Sequence, residues 1–237
     1  MKYSFITLPT CVGAILVSAC SSDSGDGLRL SEISSTLSTG ETEVSSFSFA
    51  DNGDLLSTTI QRDGQEFFAA SFETADDGTL LRRSDDRDQD GVEDQAGLYE
   101  YIEDLGLGKV YTVNADGLID TVEIFSFENN LVFSSNIIDI IDVASVDQVE
   151  LGGSTMQSRS LYTYSGTRLD TIQTDADGNG FFDTEESFTY NNDGTLASSI
   201  LRSFSGAELS TSTYTYEVGP CNPAAGNSTT AHFCIRS

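Results

Sequence analysis

The chain has 237 residues, of which 38 are acidic and 11 are basic, and its formal net charge at pH 7 is −27. Such a surface repels phosphate backbones and anionic lipid headgroups, which excludes nucleic acid as a partner and membrane charge as an attachment. There is one histidine, His232, and no tryptophan. Since a catalytic triad, a phosphate loop and a zinc motif are all missing, the sequence predicts a protein that is not an enzyme. A glycosidase-type pair of carboxylates, which can be distant in sequence, is the enzymatic alternative.

Residues 1–19 have the organisation of a secretory signal peptide. Lys2 precedes an apolar stretch, Phe5–Val17, that is too short to span a membrane as a helix. The stretch ends in Val17-Ser18-Ala19-Cys20, which resembles the lipobox of bacterial lipoproteins. The resemblance implies cleavage before Cys20 and acylation of that cysteine, for example with palmitate, which would anchor the protein to the cell envelope. An ordinary secretory signal, cut near Ala19 and leaving a free Cys20, is the alternative.

Residues 20–30 are predicted to form a flexible tether that starts at the lipidated cysteine, because Ser21–Gly27 consists of serine, glycine and aspartate. By the sorting rule of Gram-negative lipoproteins, Ser21 directly after the cysteine implies the outer membrane. Residues 31–237 are then expected to form one domain, which is long enough to bury a core of its own.

The predicted domain contains a repeat of aromatic pairs. The two aromatic residues of a pair are separated by one residue, which places both rings on one face of a β-strand. Successive pairs are 25 to 27 residues apart, with one longer step of 37 residues, and such a period is typical of repeat architectures. We interpret the pairs as cross-strand core contacts rather than as a platform for sugars. They are Phe47/Phe49, Tyr99/Tyr101, Phe125/Phe127, Tyr162/Tyr164, Phe188/Tyr190 and Tyr214/Tyr216, with the single Phe72 in the same series.

Each repeat is predicted to contain a β-hairpin with an Asn-Gly or Asp-Gly turn, as at 47–55, 72–80 and 188–196. The last of these, with the sequence FTYNNDGTL, resembles the YD-repeat family of bacterial surface proteins, and the likeness covers roughly half of the mature chain. About seven such hairpins contain more strands than a flat sheet tolerates. We therefore expect an all-β fold, an antiparallel meander that is curled or barrel-like, with at most a short helix. The segment 136–143 is rich in β-branched residues and is predicted as an extra buried strand rather than a short helix.

The segment 175–186 matches the template of an EF-hand calcium loop. Oxygen-bearing side chains stand at loop positions 1, 3, 5, 9 and 12, and a glycine stands at position 6. Calcium takes six to eight oxygen ligands, which a loop with alternating side chains can supply. The predicted ligands are the side chains of Asp175, Asp177, Asn179, Asp183 and Glu186 and the carbonyl oxygen of Phe181.

A second acidic loop, 86–94, repeats the first nine positions of the same template. Gly97 stands at position 12, so this loop is more similar to the short acidic loops of thrombospondin type 3 repeats. A third and further eroded copy is present at 114–123. The predicted ligands of the second loop are Asp86, Asp88, Asp90 and Asp94 and the carbonyl oxygen of Val92.

All three acidic loops precede an aromatic strand, which predicts that they lie on one rim of the sheet, opposite the hairpin turns. Their strand-like flanks argue against a helix-loop-helix protein, and bound Ca²⁺ would brace long connections between strands. The alternative is that the loops are solvated Asp-Gly turns, in a protein whose acidity reflects solubility or a salty habitat.

The cysteine count predicts one disulfide. Cys11 belongs to the signal peptide and Cys20 carries the lipid, so that Cys221 and Cys234 remain. In an exported protein two remaining cysteines most simply pair, which would close the loop 221–234 and hold the C-terminal segment.

Together these features predict a non-enzymatic cell-envelope lipoprotein with a calcium-stabilised β-hairpin repeat domain and a structural, adhesive or protein-binding role. The membrane, through the lipid on Cys20, and an envelope protein or glycan are the expected partners. The alternative function is that of a periplasmic carrier whose curled sheet encloses an apolar or glycan ligand. A filled interior would favour the first function, and an accessible interior would favour the second.

Overall fold

The computed structural model describes residues 25–76, 79–102, 106–128, 131–151, 154–221 and 234–235. These residues form 15 β-strands and one short 3₁₀ turn, η1, at Val146–Gln148. The strands are β1 (Gly25–Leu37), β2 (Thr42–Phe49), β3 (Leu55–Arg62), β4 (Gln65–Thr74), β5 (Leu80–Asp86), β6 (Gln95–Ile102), β7 (Gly106–Val113), β8 (Ile119–Glu128), β9 (Leu131–Val143), β10 (Thr155–Ser165), β11 (Arg168–Asp175), β12 (Thr184–Tyr190), β13 (Leu196–Ser203), β14 (Glu208–Cys221) and β15 (Cys234–Ile235).

Strands β1 to β14 form one closed antiparallel barrel. Each strand pairs with its neighbours in chain order, and β14 returns to pair with β1 along nearly the whole length of both. Strand β15 adds to β1 at Leu28 and Arg29, beyond the part of β1 that pairs with β2. The predicted meander of about seven hairpins is thus confirmed. Closure also removes the unpaired edges that an open sheet would expose.

The same register recurs in every repeat. Tyr99 lies opposite Val110, and Val110 lies opposite Glu123, which precedes the next aromatic residue, Phe125, by two positions. The other six repeats show the same relation, including the step from β14 across the closure to β2. Each hairpin therefore advances the register by two residues, and this regular stagger tilts the strands so that the barrel can close.

The aromatic pairs face the interior of the barrel, which confirms their interpretation as core contacts. One cluster is centred on Tyr162, Leu169 and Phe188, and the aromatic residues of β6, β8, β12 and β14 pack against it. A second cluster is centred on Leu30, Ile33 and Leu55. Tyr214 packs against both clusters, so that the last strand joins the two halves of the core.

The outer wall of the barrel is largely polar. Pairs of hydroxyl groups join neighbouring strands on this face at 2.6 to 2.8 Å, and all of them are exposed. These pairs are Ser48 with Ser57, Thr163 with Thr171, and Thr189 with Ser198. The alternation of aromatic and hydroxyl residues along β2, β8, β10, β12 and β14 is therefore an alternation between the inside and the outside.

The segment 136–143 forms the second half of β9, so the prediction of a strand is confirmed. The prediction that this strand is buried in the core is wrong, however. Ile138 and Ile140 pack on the outer face with Tyr111 and Val122, and Ile141 is 87% exposed. The connection from β9 to β10 folds back over this outer patch, and its extra length accounts for the longer fourth step of the repeat.

The ends of the chain fit the predicted organisation only in part. Strand β1 begins at Gly25, so residues 25–30, predicted as tether, belong to the sheet. The predicted signal peptide 1–19 and the lipidation site Cys20 lie outside the described residues. Among the described residues, no helix is long and apolar enough to cross a membrane.

The predicted disulfide is described only through the strands that carry its two cysteines. Cys221 ends β14 and Cys234 begins β15, and these strands pair with β1 from opposite sides. A disulfide requires that the two Cα atoms come within about 7 Å of each other. The side chains of both cysteines lie outside the described part of the structure, and the disulfide stays a prediction.

Candidate metal loops on one rim of the barrel

The acidic loops lie on one rim of the barrel. Residues 87–94 connect β5 to β6 and residues 176–183 connect β11 to β12, whereas the hairpin turns after the aromatic pairs lie on the opposite rim. Strand β1 starts at the hairpin-turn rim, because Gly25 lies opposite Cys221 and the chain reaches the acidic rim only after Leu37. The predicted placement of the loops is therefore confirmed, and the chain enters the barrel at the far end from them.

The loop 175–183 brings three predicted ligands together. Carboxylate oxygens of Asp175, Asp177 and Asp183 all lie within 4.8 Å of one another. Asp175 is fully buried, and its two oxygens accept hydrogen bonds from the backbone N–H groups of Asn179 and Gly180, at 3.1 and 2.8 Å. Asp183 accepts a bond from the N–H of Ala176 at 2.8 Å, which closes the loop at its base.

The loop 86–94 has the same arrangement. Carboxylate oxygens of Asp86, Asp88 and Asp94 lie within 4.8 Å of one another. The bonds from the N–H of Gly91 to Asp86 and from the N–H of Arg87 to Asp94 repeat those of the first loop at the same positions. In both loops the position 5 side chain, Asp90 or Asn179, accepts a bond of 2.8 Å from the N–H of position 7. Two loops of different sequence thus fold on one hydrogen-bond frame.

The backbone conformation of the two loops explains which residue types occur at positions 4 and 6. Position 6 has a positive φ in both loops, at Gly91 and Gly180, and glycine adopts this conformation at little cost. Position 4 also has a positive φ, at Gly178 in one loop and at Gln89 in the other. Gln89 is one of two non-glycine residues in the described chain with this conformation, so the frame is strong enough to impose it.

The donor set fits a hard cation. Each loop offers three carboxylates and contains neither histidine nor cysteine, which is the oxygen chemistry of Ca²⁺ and not the nitrogen and sulfur chemistry of zinc. No ion pair to a basic residue neutralises the six carboxylates within the described chain. Oδ1 of Asp86 is buried and has no hydrogen-bond partner. A cation would relieve the mutual repulsion of the carboxylates and supply that partner.

Glu186, the predicted ligand at position 12, does not lie with the other three carboxylates. The loop ends at Asp183, and Glu186 belongs to β12, where it lies opposite Ile172 and Leu201 on the inner face of the barrel. Its side chain is hydrogen-bonded to the hydroxyl of Ser199. An EF-hand turns its position 12 residue back towards the ion from a helix, whereas the alternation of a strand turns Glu186 inward.

The two predicted carbonyl ligands stand at the tips of the loops. Val92 is 63% exposed and Phe181 is 77% exposed, so their side chains point into solvent. The third acidic segment forms no such loop. The side chain of Asn114 accepts bonds from the N–H groups of Asp116 and Leu118, and Gly117 donates to the carbonyl oxygen of Asn114. This is the geometry of an ordinary hairpin turn, and the same backbone bonds close the turns at 50–54 and 191–195.

Two inner carboxyl groups are a feature that the sequence reasoning missed. Glu123 and Glu186 stand at the position two before an aromatic residue, and both face the interior. Burial raises the pKa of both groups above the ordinary value for glutamate, and hydrogen bonds from Ser135 and Ser199 only partly offset this effect. The period of two could have revealed them, because Glu123 and Phe125, and Glu186 and Phe188, must share one face of their strand.

We expect Glu186→Gln to stabilise the protein at neutral pH, by on the order of 1 kcal/mol. The raised pKa of Glu186 means that the folded state holds the proton to a higher pH than the unfolded state does. The stabilisation that protonated Glu186 contributes is therefore fully present below the pKa that the group has in the unfolded state. It is lost as the pH rises through the pKa that the group has in the folded state. Urea unfolding of both proteins should show a gain at pH 7 that disappears near pH 4. A gain that is constant over this range would mean that the charge of Glu186 is not its cause.

Comparisons with known proteins give no family. No protein-family model and no curated protein matches the chain. Among solved structures, a porin-like protein from Bacteroides uniformis is similar at 12% identity over 78% of this chain and 96% of that one, with a TM-score of 0.48. The TcdB2-TccC3-Cdc42 complex is similar at 10% identity over 73% of this chain and 12% of that one, with a TM-score of 0.30. The Tc holotoxin pore of Photorhabdus luminescens is similar at 16% identity over 73% and 9%, with a TM-score of 0.29. These TM-scores are low and establish no common fold family.

Proposed function

We propose that the protein is a non-enzymatic component of a bacterial cell envelope, a β-barrel whose acidic rim is braced by Ca²⁺ and presented to an envelope protein or a glycan. The observation that carries the proposal is the pair of loops at 86–94 and 175–183, which share one hydrogen-bond frame and gather three carboxylates each. The same frame forms on two different sequences, and its oxygen ligands suit calcium.

Charge and polarity support a barrel that stands in water. A membrane-spanning barrel turns an apolar band outward and polar side chains inward. Here the aromatic clusters face inward and exposed hydroxyl pairs face outward. The lipid predicted on Cys20 would then be the only attachment to the membrane.

The position of that lipid would set the orientation of the barrel. Cys20 precedes the first residue of β1 by five positions, and β1 starts at the hairpin-turn rim. A lipid on Cys20 would hold that rim at the membrane and direct the acidic loops away from it. The exposed tips Val92 and Phe181 would then face outward, where a partner can reach them.

A thermal melt of residues 21–237 tests the calcium proposal. At about 10 mM Ca²⁺, roughly 100 times a dissociation constant of 10⁻⁴ M, binding should add about 2.7 kcal/mol per site to the free energy of unfolding. Chelator and Mg²⁺ at matched ionic strength serve as references. Because Mg²⁺ demands a smaller and more regular site, it should raise the melting temperature much less.

Variants distinguish calcium binding by the two loops from a general effect of the protein's negative charge. Asp88→Asn with Asp177→Asn removes one exposed carboxylate from each loop, while the amide oxygen can still accept the backbone bond of position 5. This pair should lose most of the calcium-dependent rise. Asp51→Asn with Asp170→Asn changes the net charge by the same amount, but on exposed residues outside the loops. This control variant should keep the calcium-dependent rise in melting temperature. Equal effects of Ca²⁺ and Mg²⁺, or a full rise in the loop variant, would refute the proposal.

A further inference from the structure

The loop 175–183 contains one of the two Asn-Gly dipeptides of the chain, formed by Asn179 and Gly180. Asparagine is a thermolabile residue. In an Asn-Gly dipeptide the backbone nitrogen of the glycine can attack the side-chain carbonyl carbon of the asparagine, because glycine has no Cβ to hinder the approach. The other such dipeptide, Asn52 and Gly53, lies in the turn between β2 and β3. The two dipeptides differ in what surrounds the attacking nitrogen.

The attacking nitrogen of the loop 175–183 is hydrogen-bonded to a carboxylate. The N–H of Gly180 donates to Oδ2 of Asp175 at 2.8 Å, and Asp175 is fully buried. A general base must lie within about 2.6–3.2 Å of the atom from which it takes a proton, and this contact meets the requirement. A base is therefore already in place at the nitrogen that must lose its proton.

The carbonyl group under attack is polarised by a backbone N–H. Oδ1 of Asn179 accepts a hydrogen bond of 2.8 Å from the N–H of Phe181. This bond turns the side chain back towards the intervening peptide group, which contains the nitrogen of Gly180. When that nitrogen attacks, negative charge develops on Oδ1, and a backbone N–H at this distance stabilises such an oxyanion. The loop thus provides the nucleophile, its base and the oxyanion donor together.

Both reacting residues are open to water. Asn179 and Gly180 are exposed at the tip of the loop. Among the described residues, no atom beyond the chain neighbours of Gly180 lies within 4 Å of the place that a Cβ of Gly180 would occupy. Ammonia can therefore leave and water can enter while the strands stay in place.

The second loop already carries the residue that such an attack would produce. Asp90 stands at the position of Asn179 and is followed by Gly91. The N–H of Gly91 donates to Oδ2 of Asp86 at 3.0 Å, and the N–H of Val92 donates to Oδ1 of Asp90 at 2.8 Å. The hydrogen-bond frame of the loops therefore accommodates an aspartate at position 5.

We propose that Asn179 is a site of self-catalysed deamidation, in which Asp175 takes the proton from the nitrogen of Gly180 and the N–H of Phe181 stabilises the oxyanion. A bond forms between that nitrogen and Cγ of Asn179, and the bond between Cγ and Nδ2 breaks. The proton on Asp175 passes to the departing nitrogen, which leaves as ammonia. A water molecule then opens the cyclic succinimide, at Cγ to give aspartate or at the main-chain carbonyl to give isoaspartate.

Incubation of residues 21–237 in chelator and heavy-oxygen water, followed by peptide mapping with mass spectrometry, tests this inference. Heavy oxygen enters only those residues that react during the incubation, so earlier modification is not counted. Asn179 should react at least about tenfold faster than Asn52, because a positioned general base contributes on the order of 10²–10⁴-fold. The products should be aspartate and isoaspartate at position 179.

Asn52 is the matched site within the same molecule. Its Oδ1 likewise accepts a bond from the second N–H along the chain, that of Asp54, at 3.1 Å. The N–H of Gly53, however, donates to the carbonyl oxygen of Ala50 at 2.9 Å and not to a carboxylate. In guanidinium chloride the rates at the two asparagines should converge, because both precede a glycine and neither then has a positioned base.

Two variants test the role of the frame. Asp175→Asn retains a hydrogen-bond acceptor but removes the base, and it should slow the reaction at Asn179 by at least about tenfold. Asp90→Asn places the same dipeptide in the second loop, where Asp86 accepts from Gly91, and position 90 should then also react faster than Asn52. Because Asp90 is exposed and asparagine can still accept the bond from Val92, this variant decides the question even where Asp175→Asn does not fold.

Several results would overturn the inference. They are a rate at Asn179 no higher than at Asn52, an unchanged rate in folded Asp175→Asn, an Asp90→Asn variant that reacts no faster than Asn52, and a difference between Asn179 and Asn52 that persists in guanidinium chloride. All of these measurements are made in chelator, so their outcome does not depend on whether the loops bind calcium. The two proposals therefore fail independently.

Discussion

Gly178→Ala is expected to destabilise the protein by about 3 kcal/mol, the sum of two costs that act at one residue. Gly178 has a φ of +67°, a conformation that costs a residue with a Cβ about 1–2 kcal/mol. A Cβ at this position would also lie 2.5 Å from the carbonyl oxygen of Met156, a backbone atom that cannot rotate away. The loop or strand β10 would have to shift, as in other overpacked sites.

Gly180 provides the matched control within the same loop. Its φ is +94°, but a Cβ there would meet no atom within 4 Å. Gly180→Ala should therefore cost only the conformational part, about 1 kcal/mol after the reduced freedom of the unfolded chain is counted. Urea unfolding in chelator measures both variants without a contribution from metal. Equal costs would mean that the loop does not press on Met156.

The contact at Gly178 has a consequence for the proposed calcium site. Met156 lies at the irregularity where β10 shifts register against β9, and Asp175 lies opposite Arg159 on β10. The loop is thus fixed to β10 on one side. On the other side, the N–H of Asp183 donates to the carbonyl oxygen of Thr174, and the carbonyl oxygen of Asp183 accepts from the N–H of Phe204. An ion held by this loop would stabilise the contacts of several strands at once, so its effect should appear in global unfolding.

The sequence was sufficient for the features that are local. Turn residues and alternation predicted the hairpins, because an Asn-Gly or Asp-Gly turn and a period of two depend only on neighbours in the chain. The same locality explains why the carboxylates of Asp86, Asp88 and Asp94 lie together, since the side-chain hydrogen bonds of their loop join residues that are close in the chain.

Features that depend on distant contacts were not predictable in the same way. Closure of the barrel requires residues near 30 to pair with residues near 215, and no local pattern encodes that pairing. The outer apolar patch around Val122 explains the partial burial of Ile138, but only once Val146 and Val149 are known to pack on the same patch. Glu186 was misassigned because the template counts residues from an EF-hand, in which a helix follows the loop, whereas here a strand follows.

Leu55 and Leu56 test the inside and outside of the barrel with two adjacent residues of the same type. Leu55 is 4% exposed within an inner cluster, and Leu56 is 47% exposed on the outer wall. Leu55→Ala should cost about 2–5 kcal/mol, because it removes buried methyl groups and leaves a cavity that the sheet cannot close. Leu56→Ala should cost less than about 0.5 kcal/mol, as is usual for exposed positions.

Leu80→Ala and Leu81→Ala repeat the test one hairpin later, since Leu80 is 3% exposed and Leu81 is 42% exposed. The free energies of unfolding from urea titrations should separate each pair by at least about 1.5 kcal/mol in the same direction. A slip of the register by one residue would exchange the two faces and reverse the order within both pairs. These four alanine variants therefore decide which face of β3 and of β5 points into the barrel.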